Sequence, residues 1–370
     1  MSFERLRLKV AGRVTAFALV AAVMVVGTAS AAAPAAPKTF TIVVANGLSL
    51  SWTPLLIASN NGSFTQIQKK YHTRINLISS IGGSAIIPTL AGGQFATVGS
   101  ILSTNLVLAG TGTPAVGYVH PFAGNGIMVV GAKKYQASRG TNFASWDGAT
   151  CGTTGPKSAT ESWLFQIEKK YSITFKEVTF PSVAGFPAAL QAGQIDCFVG
   201  EIGSASAAIN NGVGYMLLNT NTAAAIKAFG PAVPTADFSA LPSQLKQYPQ
   251  VYQAFTDAII KAMIQVHKNY GNAEGIRRLL PATLEFASDP ALFGLQWKLI
   301  RAGFQLSNGC VSQAAFKATA AQGFAGGLMK SGQTLPGSIV DNSWVIRAYK
   351  DLGMKVPTNC PAKIQSVTVG

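Results

Sequence analysis

Residues 40–58 read FTIVVANGLSLSWTPLLIA. The first six, FTIVVA, are rich in β-branched residues, too few for a helix, and apolar on both alternating faces, which marks a buried strand. Residues 46–52 break the run as a hydroxyl-bearing loop. Thr53 and Pro54 then form an N-cap and first-turn pair that opens a helix. A strand buried on both faces and followed by a helix is half of a parallel βαβ unit.

Working outward, the unit repeats. Residues 75–79 read as a second strand, and Gly82-Gly83-Ser84 leads into a helix over 85–90. Residues 95–99 and 115–119 are further strands, with a helix over 104–109 between them. This is the βαβαβ rhythm of a parallel sheet covered by helices. It then restarts. GIMVVG at 126–131 suits a crossover strand, 149–152 is a strand, and Ser158 or Thr160 caps a helix through Lys170. Strands at 174–180 and 195–199 flank a helix at 185–191, and 215–219 is expected to be a strand returning to the first lobe. A mainly helical part follows, with apolar Val251, Phe255, Ile259, Met263 and Val266 at helical spacing and with Asp289 and Asn342 opening later helices. LAGGQF at 90–95 and LQAGQI at 190–195 echo each other 100 residues apart, each ending a helix with Gly and entering a strand. The expected class is α/β in two lobes, each a parallel-type sheet flanked by helices. The expected division is 38–128 for the first part of lobe 1, 129–220 for lobe 2, and 221–370 for the return to lobe 1 and the helical C-terminal part.

The first 33 residues read as a signal peptide: Arg5, Arg7, Lys9 and Arg13 precede an apolar stretch, and small residues set a cut near Ala31 or Ala33. That places the mature protein in the periplasm. Twenty-nine Lys and Arg against 14 Asp and Glu make the chain basic. Its basic residues cluster only in pairs, without the aromatic-laced runs of a nucleic-acid binder, so nucleic acid is excluded as a partner. Beyond residue 40 no apolar run is long enough to span a membrane. Four cysteines in an exported chain imply two disulfides. Of three possible pairings, Cys151–Cys197 and Cys310–Cys360 keep each bridge within one lobe or subdomain. A metal site is not expected, because there is no C-x-x-C and His72, His120 and His267 lie far apart in sequence.

Ligands of open parallel sheets sit beyond the carboxyl ends of the strands, where helix N-termini offer free N–H groups. The candidate contacts are therefore Ser49, Ser51 and Trp52 after the first strand, Gly83 and Ser84 after the second, and Ser100 after the third. In the second lobe they are Thr154, Lys157, Ser158, Thr160 and Glu201. Residues 152–158, GTTGPKS, miss the spacing of a phosphate loop. Between Glu4 and Asp147 there is no carboxylate. A buried ammonium needs such a partner, so an anionic or neutral ligand is expected. No catalytic constellation and no cofactor motif is present.

Thr53-Pro54-Leu55 with Gly62-Ser63-Phe64 after it, the Gly82-Gly83-Ser84 turn, and residues 190–196 followed by Glu201 occur in an order and spacing that resembles the nitrate/sulfonate/taurine-type substrate-binding proteins of ABC transporters. The family often has Asp where Ala96 stands and Pro where Ile202 stands. The resemblance implies the type II periplasmic-binding-protein fold, two lobes joined by two crossovers. It further implies a monomer that captures a small molecule by hinge closure and delivers it to the transporter's membrane subunits. The alternatives are an enzyme on the same scaffold, of the kind that makes a thiamine pyrimidine precursor, and a sensor that docks onto a signalling receptor.

Overall fold

Two five-stranded sheets organise the molecule. The computed structural model describes residues 36–45, 48–79, 86–100, 102–124, 126–231 and 233–369; the expected signal peptide, Gly83 and Ser84 lie outside these. The first sheet holds β1 (Thr39–Val44), β2 (Arg74–Ser79), β3 (Thr97–Ser100), β4 (Val116–Phe122) and β10 (Ala236–Ala240), in the order β2-β1-β3-β10-β4. The second holds β5 (Ile127–Ala132), β6 (Thr150–Thr153), β7 (Lys176–Thr179), β8 (Cys197–Glu201) and β9 (Gly214–Asn219), in the order β7-β6-β8-β5-β9. In each sheet four strands are parallel and one runs against them: β10 between β3 and β4, and β5 between β8 and β9. The fold is the expected two-lobed α/β arrangement, with mixed rather than purely parallel sheets.

The antiparallel strands are how the chain changes sheets. It leaves the first sheet after Phe122 and enters the second as β5, then leaves after Asn219 and re-enters the first as β10. Residues 215–219 therefore do not return to the first lobe as expected. They pair with β5 as the edge of the second sheet. The returning strand is ADFSA at β10, which a strand search passes over because Asp and Ser interrupt five short residues behind Pro231 and Pro234.

Both faces of β1 are buried, as its composition demands. Phe40, Ile42 and Val44 face one core with Phe238, Tyr252 and Phe255, while Val43 and Ala45 face another with Ile86 and Leu90. Helices α1 (Thr53–Asn60) and α2 (Ser63–Tyr71) link β1 to β2, α3 (Ile86–Ala91) links β2 to β3, and α4 (Leu102–Gly110) links β3 to β4. Their counterparts in the second lobe are α5 (Ala159–Tyr171), α6 (Phe186–Gln191) and α7 (Ile202–Asn210). The C-terminal part adds α8 (Pro249–Lys268), α9 (Pro290–Ile300), α10 (Gln313–Ala325) and α11 (Ser343–Asp351). Helix α1 starts one residue earlier in its geometry than the sequence suggested: Trp52 is the N-cap, and the Thr53 hydroxyl bonds back to the Leu50 carbonyl at 2.6 Å. For α5 the cap is Ser158, whose hydroxyl accepts from the Glu161 N–H at 3.2 Å.

The echoed turns match in detail. Gly93 and Gly193 both have left-handed φ, +61° and +70°, and donate to the carbonyls of Leu90 and Leu190 at 3.2 Å each. They precede β3 and β8, which hold the same place in their sheets. Cys151 pairs with Cys197 across adjacent β6 and β8, and Cys310 pairs with Cys360. No described helix is long and apolar enough to cross a membrane.

Candidate functional site

Each parallel strand delivers its loop to the same end of its sheet, so the loops after β1, β7 and β8 converge. Together with the segment around residues 284–296 they line a cavity of about 410 Å³. The first lobe contributes Leu48, Ser49 and Leu50, and the second contributes Val183, Ala184 and Pro187, then the turn from Glu201 into α7. Most of the wall is apolar. Ser49 is buried and its hydroxyl has no hydrogen-bond partner among the described residues.

The polar groups on the second-lobe side are ordered by a short chain of hydrogen bonds. Glu201 ends β8 and occupies the N-cap of α7, where its side chain makes no cap bond. The Ser204 hydroxyl donates to the Glu201 carbonyl at 3.0 Å, and the Ser206 hydroxyl donates to the Gly203 carbonyl at 3.1 Å. Since Ser206 has used its proton, it accepts from the Gln296 side-chain amide at 2.5 Å. This joins α9 to α7 and uses one of the two N–H donors of the Gln296 amide. The N–H groups of the first turn of α7 lack intrahelical partners, as at any helix N-terminus.

Of the sequence-predicted contacts, the structure brings Ser49 and Glu201 to this cavity. Trp52 is buried in the core instead, 5.4 Å from the Phe238 ring, and a Cβ on Gly99 would stand 2.9 Å from its indole. Ser51 is buried near the crossover, where a Cβ on Gly126 would lie 3.7 Å from its hydroxyl. Ser100 is buried with its hydroxyl 3.5 Å from the Asp237 carboxylate. Thr154, Ser158 and Thr160 bond one another: the Thr160 hydroxyl lies 3.0 Å from that of Thr154 and 2.9 Å from that of Ser158, and accepts from the Thr154 N–H at 2.8 Å. Lys157 is exposed at a positive φ of 63°, its backbone N–H held by Glu161. Ser204, Glu285 and Gln296 were missed. A hydroxyl one turn past Glu201 was a usable signal for Ser204; nothing local marks the other two, because the C-terminal part reaches the cavity through tertiary packing.

The first lobe is not free of carboxylates. Strand β10 sets Asp237 opposite Ser100, at the carboxyl end of β3. Asp237 is fully buried, accepts from Ser239 at 2.6 Å and from Asn105 at 3.3 Å, and is pushed up to about 7 by its burial. His120 is also buried, its ring beside the Gly117 backbone, and burial pushes it down to about 3. Both meet at Gly117, where a Cβ would lie 2.8 Å from the Asp237 Oδ2 and 2.8 Å from the His120 Cε1. The premise of a carboxylate-free lobe fails because the residues between Glu4 and Asp147 do not complete it. A larger open groove of about 1130 Å³ lies at the opposite, amino-terminal end of β4, lined by Val116, Leu245 and Trp344 among others. No residue of the second sheet or its helices lines it, so it does not join the lobes.

Residues 36–280 match the model of a family described as NMT1-like. Among solved structures, a protein from Bordetella bronchiseptica RB50 aligns with a TM-score of 0.73 and 21% identity over 86% of this chain and 98% of its own. The periplasmic nitrate-binding protein NrtA from Synechocystis PCC 6803 aligns with a TM-score of 0.65 and 15% identity over 89% of this chain and 92% of its own. The alkanesulfonate-binding protein SsuA from Xanthomonas axonopodis pv. citri, solved with MOPS bound, aligns with a TM-score of 0.61 and 17% identity over 80% and 96%. At these identities the likeness is one of fold. No curated protein matches the chain in sequence.

Proposed function

Because this chain belongs to the NMT1-like family, and because its loops converge on one cavity, we propose that it is the exported solute-binding component of an ABC importer. It takes up a small molecule between its lobes. The observation that carries the reading is the cavity at the carboxyl ends of the strands, walled by Ser49 from one lobe and Glu201 from the other. A ligand that touches both walls binds the closed arrangement better than an open one and shifts the population toward it. The membrane subunits of the importer then recognise the closed form. Two disulfides suit an oxidising compartment outside the cytoplasm. The protein acts as a monomer and needs no cofactor in this scheme.

The test is calorimetry and thermal unfolding of the mature protein against a panel of small solutes, with Ala207→Trp, which fills the cavity wall, as the blocked variant. A ligand at about 100 times its Kd stabilises the native state by about 2.7 kcal/mol. Stabilisation in the wild type and its loss in Ala207→Trp, with the ligand recovered unchanged, is the expected result. Chemical turnover of the ligand would favour an enzyme instead. Binding that survives the blocked cavity would remove the site.

A further inference from the structure

The open groove at the amino-terminal end of β4 shares no lining residue with the interlobe cavity and plays no part in capture between the lobes. We propose that it is a second binding site, for a small amphiphilic anion: a carboxylate or sulfonate carried on an apolar body. Its apolar lining comes from three separate segments. Pro242 and Leu245 belong to the short helix Pro242–Gln247, Val340 and Trp344 to the entry into α11 and its first turn, and Ala362 and Ile364 to the C-terminal tail. The tail is held there by the Cys310–Cys360 bridge and by the Asn342 side-chain amide, which donates to the Pro361 carbonyl at 2.7 Å. About 1130 Å³ is room enough for one drug-sized solute.

Arg347 selects the charge of the ligand. Its guanidinium lies over the Trp344 ring, 4.4 Å from the centroid, and its Nε donates to the Gln253 Oε1 at 2.8 Å. Gln253 is itself fixed, because its side-chain amide donates to the Asp257 Oδ1 at 2.8 Å and to the Trp344 carbonyl at 3.0 Å. A guanidinium stacked on an indole and held through Nε has lost most of its rotamer freedom before a ligand arrives. Its two terminal nitrogens make no hydrogen bond with a described residue. They form the fork that meets a carboxylate or sulfonate through two parallel N–H bonds. Lys246 and Lys363 line the same groove, and neither makes an ion pair among the described residues. One carboxylate lines it, that of Asp341, whose Oδ1 accepts from the Ser343 N–H at 2.9 Å where α11 begins. Asp257 lies outside the groove and borders a smaller hollow with Lys70 and Lys261. An ammonium would therefore meet three like charges, whereas an anion meets an oriented fork with two lysines beside it.

The test is calorimetry with 4-phenylbutanoate, 4-phenylbutanamide and 4-phenylbutylamine, on the wild type and on Ala207→Trp, in which the interlobe cavity is filled. The butanoate is expected to bind at least about tenfold tighter than the amide, with the amine weakest, and equally in both proteins. It is expected to shift the indole N–H resonance of Trp344, assigned by its loss in Trp344→Phe. Arg347→Gln is expected to weaken the butanoate about tenfold and leave the amide unchanged. Arg347→Lys should recover only part of that loss, because an ammonium lacks the planar fork. Lys363, which is exposed, gives a further variant, Lys363→Gln, expected to weaken the butanoate several-fold with apo unfolding unmoved. Equal affinity for butanoate and amide, or a butanoate affinity untouched by Arg347→Gln, overturns the site. So does binding that disappears in Ala207→Trp, or the absence of binding at millimolar butanoate. Each of these leaves the interlobe reading standing, since that reading does not depend on this groove.

Discussion

Asp237 keeps its proton to about pH 7 and His120 stays neutral to about pH 3, so the two pull the stability of the fold in opposite directions as pH changes. The Asp237 value is raised from 3.8, so the native state holds a proton that the unfolded chain releases. Its contribution is complete below about pH 4 and is lost as pH rises to 7. The His120 value is lowered from 6.5, so its contribution is complete above about pH 6.5 and is lost as pH falls toward 3. Between pH 4 and 6.5 the slopes nearly cancel in the wild type. Each single variant exposes the other group. His120→Gln is expected to make urea stability fall with rising pH, and Asp237→Asn to make it rise, each by about 1 kcal/mol per pH unit. Parallel pH profiles for wild type and both variants would show that the two groups are not held neutral together. Glu201 and Ser49 were readable in the sequence because the rule that loops follow strand carboxyl ends applies to each βα unit separately. Asp237 was not, because its role depends on which sheet a five-residue strand joins.

At the scale of elements, the periodic segments were legible and the connections between sheets were not. FTIVVA and residues 251–270 announce themselves through composition and spacing, and the structure gives β1 and α8 there. β10 hides because its polar residues are buried and paired with side chains from α4 and β3 rather than with water. Phe238 shows what the strand contributes: it is fully buried, 5.0 Å from Phe255 and 5.4 Å from Trp52. Phe238→Ala is expected to cost about 3–5 kcal/mol in denaturant unfolding. A loss under 1 kcal/mol would mean the strand is peripheral to the core. The disulfides differ in access rather than in span, with 46 and 50 residues between their cysteines. Cys151 and Cys197 are fully buried in the second sheet, whereas Cys310 is half-buried. Mild reductant followed by alkylation and mass spectrometry should therefore label Cys310 and Cys360 first. Removing that bridge is expected to cost about 2–4 kcal/mol by freeing the unfolded chain.

For the whole molecule, the question is what holds the lobes in the arrangement that encloses the cavity. Besides the two crossovers, α5 of the second lobe leans on the end of α10, which packs with α4 of the first. The contact is close because Gly326 has no side chain: a Cβ there would overlap the Ser162 hydroxyl and lie 2.8 Å from the Ser162 Cβ and 2.9 Å from its carbonyl oxygen. On the same face of α5, Lys169 sits 5.7 Å from the Phe324 ring. Gly326→Ala must push α5 away from α10 without entering either sheet's core. If this contact supports the closed form, the fraction of competent molecules falls and the apparent Kd rises in inverse proportion. The expected result is a several-fold weaker affinity for whichever solute binds, with the ranking of solutes unchanged because the cavity wall is untouched. Ser162→Gly removes the opposing side chain, so the double variant should recover part of the affinity that Gly326→Ala loses. Additive losses, or a changed ranking, would place the effect in the folding of α5 or in the cavity rather than in the balance between open and closed lobes.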